Sequence, residues 1–276
     1  MISIDQASLL FGSNPGAVRQ GIVAARQCAG RDRIRDQLGV TLALDDVSLD
    51  IKDGELFVVM GLSGSGKSTL VRLINGLLLP HAGSVTVDDV TVSELSKPDL
   101  IAFRRERIAM VFQSFALFPH RTVRENAAFG LKVAGMNKAD REARASKWLE
   151  RVGLGSHAGS YPHQLSGGMR QRVGLARALC VESPIMLLDE PFSALDPITR
   201  VDLQDLLLEL QAELARTIVF VTHDFSEAAR LADRMAVLEN GRVAQIGTPA
   251  AIRSAPATSH VARFIEAATQ TVPLSA

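Results

Sequence analysis

The sequence predicts an α/β fold: a mostly parallel sheet covered by helices on both faces, with a helical subdomain set between two of its strands. Three observations lead there. Short apolar runs of strand length recur, spaced widely enough to hold crossover helices. One of them, Leu56 to Met60, passes directly into glycine-rich sequence and then into helical periodicity. The stretch from Ser114 to Leu179, by contrast, is almost wholly helical in pattern.

Taken in order, Ile2 to Leu10 reads as an opening strand and Leu44 to Ile51 as the next. Between them, Asn14 to Gly39 breaks the alternation. Val18, Ile22 and Ala25 lie there at helical spacing, and Asp32 to Leu38 suffices for another turn or two. A surface decoration is the plainest account of that insert. Leu56-Phe57-Val58-Val59-Met60 is a buried strand, and Ser68 to Leu79 a helix with Leu70, Leu73, Ile74 and Leu77 on one face. Ile108 to Phe112, Pro184 to Asp189 and Thr217 to Val221 are further buried strands. Ala139 to Val152 is an amphipathic helix, Gly167 to Leu179 a second one opened by glycines. Thr269 to Ala276 should fray.

The composition is that of a folded globular protein: 276 residues, 47% apolar and 22% charged. Thirty basic residues balance thirty acidic ones, so no field draws the chain to nucleic acid or to an anionic membrane surface. The start, Met1-Ile2-Ser3-Ile4-Asp5, is not a secretory signal. No apolar run reaches the ~18 residues needed to cross a bilayer as a helix. A cytosolic location is expected, with any membrane attachment made through a partner. Cys28 and Cys180 are far apart and read as unpaired, unreactive thiols.

Gly61-Leu62-Ser63-Gly64-Ser65-Gly66-Lys67-Ser68-Thr69 satisfies G-x-x-x-x-G-K-[ST]. Phosphates need a concave surface of backbone N–H groups, and glycines let the chain turn tightly enough to aim them inward. Lys67 would reach the β- and γ-phosphates, and the Ser68 hydroxyl would ligate Mg²⁺. The loop also stands between a strand and a helix, as that mechanism requires. ATP with Mg²⁺ is therefore the expected ligand, although a kinase, a GTPase, a recombinase and a transporter motor all share such a loop.

Two further constellations narrow the choice. The strand ending in Leu187-Leu188-Asp189 is followed at once by Glu190, which suits a carboxylate that holds Mg²⁺ through water beside a general base. Leu165-Ser166-Gly167-Gly168-Met169-Arg170-Gln171-Arg172 opens a helix with a hydroxyl and free N–H groups, a second anion-binding element. A second phosphate-binding element on one chain makes sense if it completes the site of another copy.

With these motifs the sequence resembles the ATPase subunit of an ABC transporter from about Phe11 to Phe264. The resemblance implies a RecA-like core sheet, an antiparallel β subdomain and an inserted α-helical subdomain. It puts residues 1–113 and 180–250 in the catalytic core, with the insert at 14–39, residues 114–179 in the helical signature subdomain, and 251–276 in a short C-terminal tail. By position, Gln113 matches the Q-loop glutamine, which contacts Mg²⁺ and couples to the membrane subunit. Leu165 to Met169 matches the signature motif. Asp189 and Glu190 match the Walker B aspartate and catalytic glutamate, Ser193 to Asp196 the D-loop, and His223 the switch histidine. Both Gln113 and His223 follow strands, on the edge where open α/β sheets bind ligands. His223 would hydrogen-bond the γ-phosphate. Phe11 is the nearest match to the aromatic that stacks on adenine, although the insert separates it from the next strand.

Within the family the runs Val59 to Gly66 and Ile108 to Leu117, and the insert itself, are similar to the glycine betaine/L-proline, or quaternary-amine, uptake group. Many members of that group carry a C-terminal pair of CBS modules, which a chain of this length is not expected to hold, so osmotic regulation by that route is not expected. The resemblance implies a homodimeric motor on the cytoplasmic face of the plasma membrane, bound to an integral membrane permease and served by a substrate-binding protein. Each ATP would lie between one copy's phosphate loop and Ser166, Gly167, Gly168 and Asp196 of the other. Phe115, Leu117, Phe118 and His120 would line the groove for the membrane subunit or belong to the helical core. Glycine betaine or choline is the expected cargo, with histidine, proline or trimethylamine N-oxide as alternatives. A soluble ABC protein of translation or DNA repair, or a small-molecule kinase, fits the motifs less well.

Overall fold

The computed structural model describes residues 1–27, 29–113 and 116–270, so Cys28, Phe115 and the last six residues lie outside the described residues. The chain gathers into two compact units, 1–100 with 221–276, and 101–220. Its strands are β1 (Ile2–Phe11), β2 (Thr41–Ile51), β3 (Leu56–Met60), β4 (Ala82–Val87), β5 (Val90–Thr91), β6 (Ile108–Val111), β7 (Ile185–Asp189), β8 (Thr217–Thr222), β9 (Arg234–Glu239) and β10 (Arg242–Gly247). β8 returns the chain from the second unit to the first.

The first unit contains the expected antiparallel sheet, in the order β2-β1-β4-β5. β1 and β2 pair from Ile2 opposite Ile51 to Phe11 opposite Thr41. The register shifts between Ile4 and Ala7, beside Gln6 at φ 46°. Such a bulge re-aims the side chains that follow it. β3 runs parallel to β9, Phe57 opposite Arg234 through Met60 opposite Val237. All five β3 residues are buried, as a strand covered on both faces requires. The β9–β10 hairpin turns on Asn240 and Gly241, at φ 52° and 78°. Asn-Gly suits such a turn because both central residues need positive φ.

The helix after the phosphate loop is shorter than its periodicity suggests. It spans Lys67–Ile74, not Ser68 to Leu79. Gly76 at φ 64° leaves the helical region, and a Cβ there would lie 2.6 Å from Leu100 Cδ2. Leu77, which the spacing placed on the apolar face, is 47% exposed.

The insert folds as helices Pro15–Arg26 and Arg31–Leu38. Asn14 caps the first, its side chain accepting from Gly16 and Ala17 N–H groups. Gly39 ends the second at φ 65°. The pair is more than a decoration. Val18, Ala25 and Ile34 bury themselves against Leu10, Val40 and Leu42, which explains why Leu9 and Leu10, neighbours pointing to opposite faces, are both 2% exposed. Burying a side chain such as Ile34 stabilises by about 1.5–3 kcal/mol.

In the second unit the strand order is β8-β7-β6, with β6 parallel to β7 from Ile108 opposite Ile185 to Val111 opposite Leu188. Phe192 and Phe220 pack at 5.4 Å between ring centroids. Between β6 and β7 the described residues carry no strand and four α-helices: Val123–Ala127, Phe129–Val133, Lys138–Arg151 and Gly167–Cys180. Residues 251–276, expected as a short tail, include most of helix Pro249–Ser254 and helix Ser259–Gln270. Ile252 and Val261 tie these helices down, each fully buried.

Candidate nucleotide site

In the first unit the phosphate loop joins β3 to helix Lys67–Ile74. Gly61 sits at φ 148°, and a Cβ there would fall 2.3 Å from the Leu238 carbonyl oxygen. At Gly66, φ 106°, a Cβ would lie 2.9 Å from the Ala43 carbonyl oxygen. Only glycine fits both places. The Lys67 ammonium is folded onto its own loop, donating to the Gly61 carbonyl at 2.8 Å and the Leu62 carbonyl at 3.1 Å. Ser65 Oγ is buried with no hydrogen-bond partner. A buried hydroxyl of that kind costs free energy until a ligand satisfies it. These features, at the N-terminal turn of a helix, fit a bound polyphosphate.

The loop is braced from behind. Gly241 N–H donates to the Ser65 carbonyl at 3.0 Å, and Asp45 N–H donates to the Gly241 carbonyl at 2.9 Å. Ser63 and Gly64 are exposed, while Ser68 and Thr69 are half-buried on the first helical turn. His223, also in this unit, is exposed between β8 and helix Phe225–Leu231. Its neighbours hold it: Thr222 Oγ1 donates to the Glu227 carboxylate at 2.5 Å and accepts from Asp224 N–H at 3.0 Å. Asp224 in turn caps the helix, accepting from Ser226 N–H at 2.8 Å.

The second unit brings together Gln113, Glu190 and the signature segment. Gln113 Nε2 donates to Glu190 Oε2 at 3.0 Å. Glu190 follows the buried Asp189 at the end of β7 and stands at φ 48°, a region that disfavours side chains. Its carbonyl accepts from Gln171 Nε2 at 2.9 Å and Ser193 Oγ at 3.1 Å. Gln171 Oε1 also accepts from Ala194 N–H at 3.1 Å. Gln171 is thus a link between the signature helix and the segment 190–194. It lies in the signature octapeptide, but its place there does not reveal this role.

Ser166 caps helix Gly167–Cys180 by accepting from Met169 N–H at 3.2 Å. A Cβ on Gly168 would come 3.1 Å from Leu195 Cδ2, so the signature and D-loop segments are packed together. Asp196 caps helix Pro197–Leu214, and the Thr199 N–H holds its carboxyl below the usual carboxylate range. Phe118 packs on Phe129 at 4.4 Å between centroids, with the Arg121 guanidinium over both rings. The fully buried Asn126 pins this segment, accepting from Phe118 N–H at 2.8 Å and donating to the Phe118, Arg121 and Thr122 carbonyls. Leu117 is half-buried and His120 exposed. Phe11, at the end of β1, is 45% exposed.

A phosphate loop between strand and helix, with a strand-end Asp-Glu pair and a glycine-opened signature helix, defines a cassette of the nucleotide-binding α/β class. The family model for ABC transporters matches residues 44–193, and the chain belongs to that family. It is 50% identical over 255 residues to the glycine betaine/proline betaine transport ATP-binding protein ProV of Escherichia coli, covering 92% of this chain and 63% of that one. It is 44% identical to the glycine betaine/carnitine transport ATP-binding protein GbuA of Listeria monocytogenes, covering 96% and 66%. The trimethylamine N-oxide transport ATP-binding protein TmoW of Ruegeria pomeroyi is 48% identical, covering 96% and 77%. The chain therefore spans 63% of the length of ProV. Among solved structures, a dimer of the ATP-binding cassette MJ0796 bound to ADP and Pi superposes with a TM-score of 0.78 at 33% identity, covering 90% of this chain and 99% of that one.

Proposed function

We propose that this chain binds and hydrolyses ATP as the motor subunit of an ABC importer for a small quaternary ammonium solute such as glycine betaine or choline. The observation that carries the ATP reading is the phosphate loop, with the Lys67 ammonium resting on its own carbonyls and the Ser65 hydroxyl buried without a partner. The cargo reading is supported by the transport systems named for the relatives. The similarity to TmoW supports trimethylamine N-oxide as a second cargo.

In this mechanism Lys67 exchanges its loop carbonyls for the β- and γ-phosphates of ATP. Glu190 is the general base that takes the proton from the attacking water, and Gln113 orients its carboxylate through the bond to Oε2. His223 donates to the γ-phosphate. Ser166, Gly167, Gly168 and Asp196 of a second copy close over the nucleotide, which makes the site shared and hydrolysis dependent on dimerisation. A bound Mg²⁺ would supply positive charge to offset that of the phosphates. Ser68, Gln113 and Asp189 offer the oxygen donors that such a hard cation prefers.

Among the described residues no helix is long and apolar enough to cross a membrane. The motor would act peripherally, on the cytoplasmic face of the plasma membrane, through an integral permease and with a substrate-binding protein in the complex. Glu190→Gln tests the assignment. Turnover at saturating Mg-ATP should fall by ~10²–10⁴-fold, with ATP affinity kept and a nucleotide-bound dimer trapped on size exclusion. Steady hydrolysis by that variant sinks the proposal.

A further inference from the structure

A cavity of 530 Å³ opens in the first unit between the insert and the strands behind the phosphate loop. Its lining includes Arg31 and Arg35 of the insert, Thr41 and Asp45 of β2, and Asn240 and Arg242 of the β9–β10 hairpin. The volume lies within the ~300–1,000 Å³ typical of small-molecule sites. Its wall is continuous with the phosphate loop, because Asp45 N–H bonds to the Gly241 carbonyl and Gly241 N–H to the Ser65 carbonyl. The recess and the phosphate loop thus share a hydrogen-bonded backbone wall.

The insert presents a fixed cation to that recess. Arg31 Nε donates to the Leu42 carbonyl at 2.7 Å, which holds the guanidinium at the cavity wall, while the Arg35 guanidinium is paired with Asp32 and Asp36, each at 3.1 Å. Partial burial pushes its pKa down, the mark of a guanidinium drawn partly out of water. Arg242 Nε is held by Asp45 at 2.8 Å. Phe11 stands directly across from Thr41 in the β1–β2 pair, so their side chains share a face of the sheet. An exposed aromatic thus flanks a cavity-lining residue.

We propose that the insert at 14–39 supplies one wall of the nucleoside subsite, Arg31 and Arg35 facing the adenosine part of ATP and Phe11 flanking it. This rests on the ATP reading. Arg31 donates to acceptors on the base or ribose, and the Thr41 hydroxyl and Asn240 amide add polar partners. The insert is then a specificity element, not a separate module.

The test compares ATP with inorganic tripolyphosphate, which carries the phosphates and no nucleoside, by titration calorimetry on the full chain. Losing a hydrogen bond from a charged group is worth on the order of tenfold in Kd. Arg31→Met should weaken ATP by about that factor and leave tripolyphosphate unchanged; Arg35→Glu should act in the same sense. Equal weakening of both ligands, or of neither, overturns the inference. Because Arg31→Met also removes the bond to Leu42, a second measurement avoids that change: Thr41→Cys in a Cys28→Ser background, labelled with a maleimide. ATP should slow labelling and tripolyphosphate should not. Protection by both or by neither overturns the inference. A wild-type chain that binds neither ligand would instead overturn the ATP reading beneath it.

Discussion

Gln171 is the residue whose replacement best separates positioning from bulk stability. Its side chain is 2% exposed and spans from the Glu190 carbonyl to the Ala194 N–H. Gln171→Leu keeps most of the volume and removes both bonds. Each such bond is worth about 0.5–1.5 kcal/mol net. The total should fall near the low end of the combined range, because the Glu190 carbonyl keeps Ser193 Oγ and Ala194 is exposed. A loss of about 1–2 kcal/mol in urea unfolding follows. The kinetic effect should be larger. Glu190 stands at φ 48°, a conformation that persists only while its surroundings impose it. Released from Gln171, its carboxylate should drift, and misplacement by about 1 Å can cost ~10²-fold in rate. The expected result is kcat for ATP hydrolysis down ten- to a hundredfold, by analogy with that scale, with KM little changed. Gln171→Glu, which keeps an acceptor for Ala194 and loses the donor, should fall between. A variant with the expected stability loss and wild-type kcat would refute the positioning role.

Three further outcomes are expected. Gly61→Ala forces a side chain into φ 148° and against the Leu238 carbonyl; unfolding should show a loss on the order of 1–3 kcal/mol, and ATP titration a parallel loss of affinity. Ser166→Arg should abolish hydrolysis while monomeric ATP affinity stays put, and a fully active variant would end the shared-site model. Cys180 is fully buried and its thiol is pushed up to about 12 by that burial. In a Cys28→Ser background the folded chain at pH 8 should resist a thiol reagent that reacts once urea unfolds it. Since the raised pKa favours the neutral thiol, this contribution to stability is full below the ordinary thiol pKa and declines as pH rises toward about 12.

The phosphate loop was legible because its signal is local, an apolar strand, a glycine-rich turn and a lysine opening a helix, although the carbonyls that crowd Gly61 and Gly66 come from Leu238 and Ala43. The same holds for the Asp189-Glu190 pair at a strand end and for Ser166 as a helix cap. The end of the helix after the loop was not legible. Leucine spacing continues through Leu77, and it is Gly76 wedged beside Leu100 that stops the helix. Of the two C-terminal helices, Pro249–Ser254 is too short to show a periodicity and is anchored by Ile252 alone, whereas Ser259–Gln270 runs twelve residues with Val261 and Ile265 buried.

Sequence alone determined the family, the phosphate loop and the order of the motifs, since these are written in contiguous residues. Tertiary structure decided which side chains hold them in place. The bond from Gln171 to Glu190 joins residues 19 positions apart, and the one from Gln113 to Glu190 joins residues 77 apart. No local pattern specifies either pairing. The insert makes the same point: its helices show in the periodicity of Val18, Ile22 and Ala25, but the cavity beside them exists only because Arg31, β2 and the Asn240-Gly241 turn converge in space.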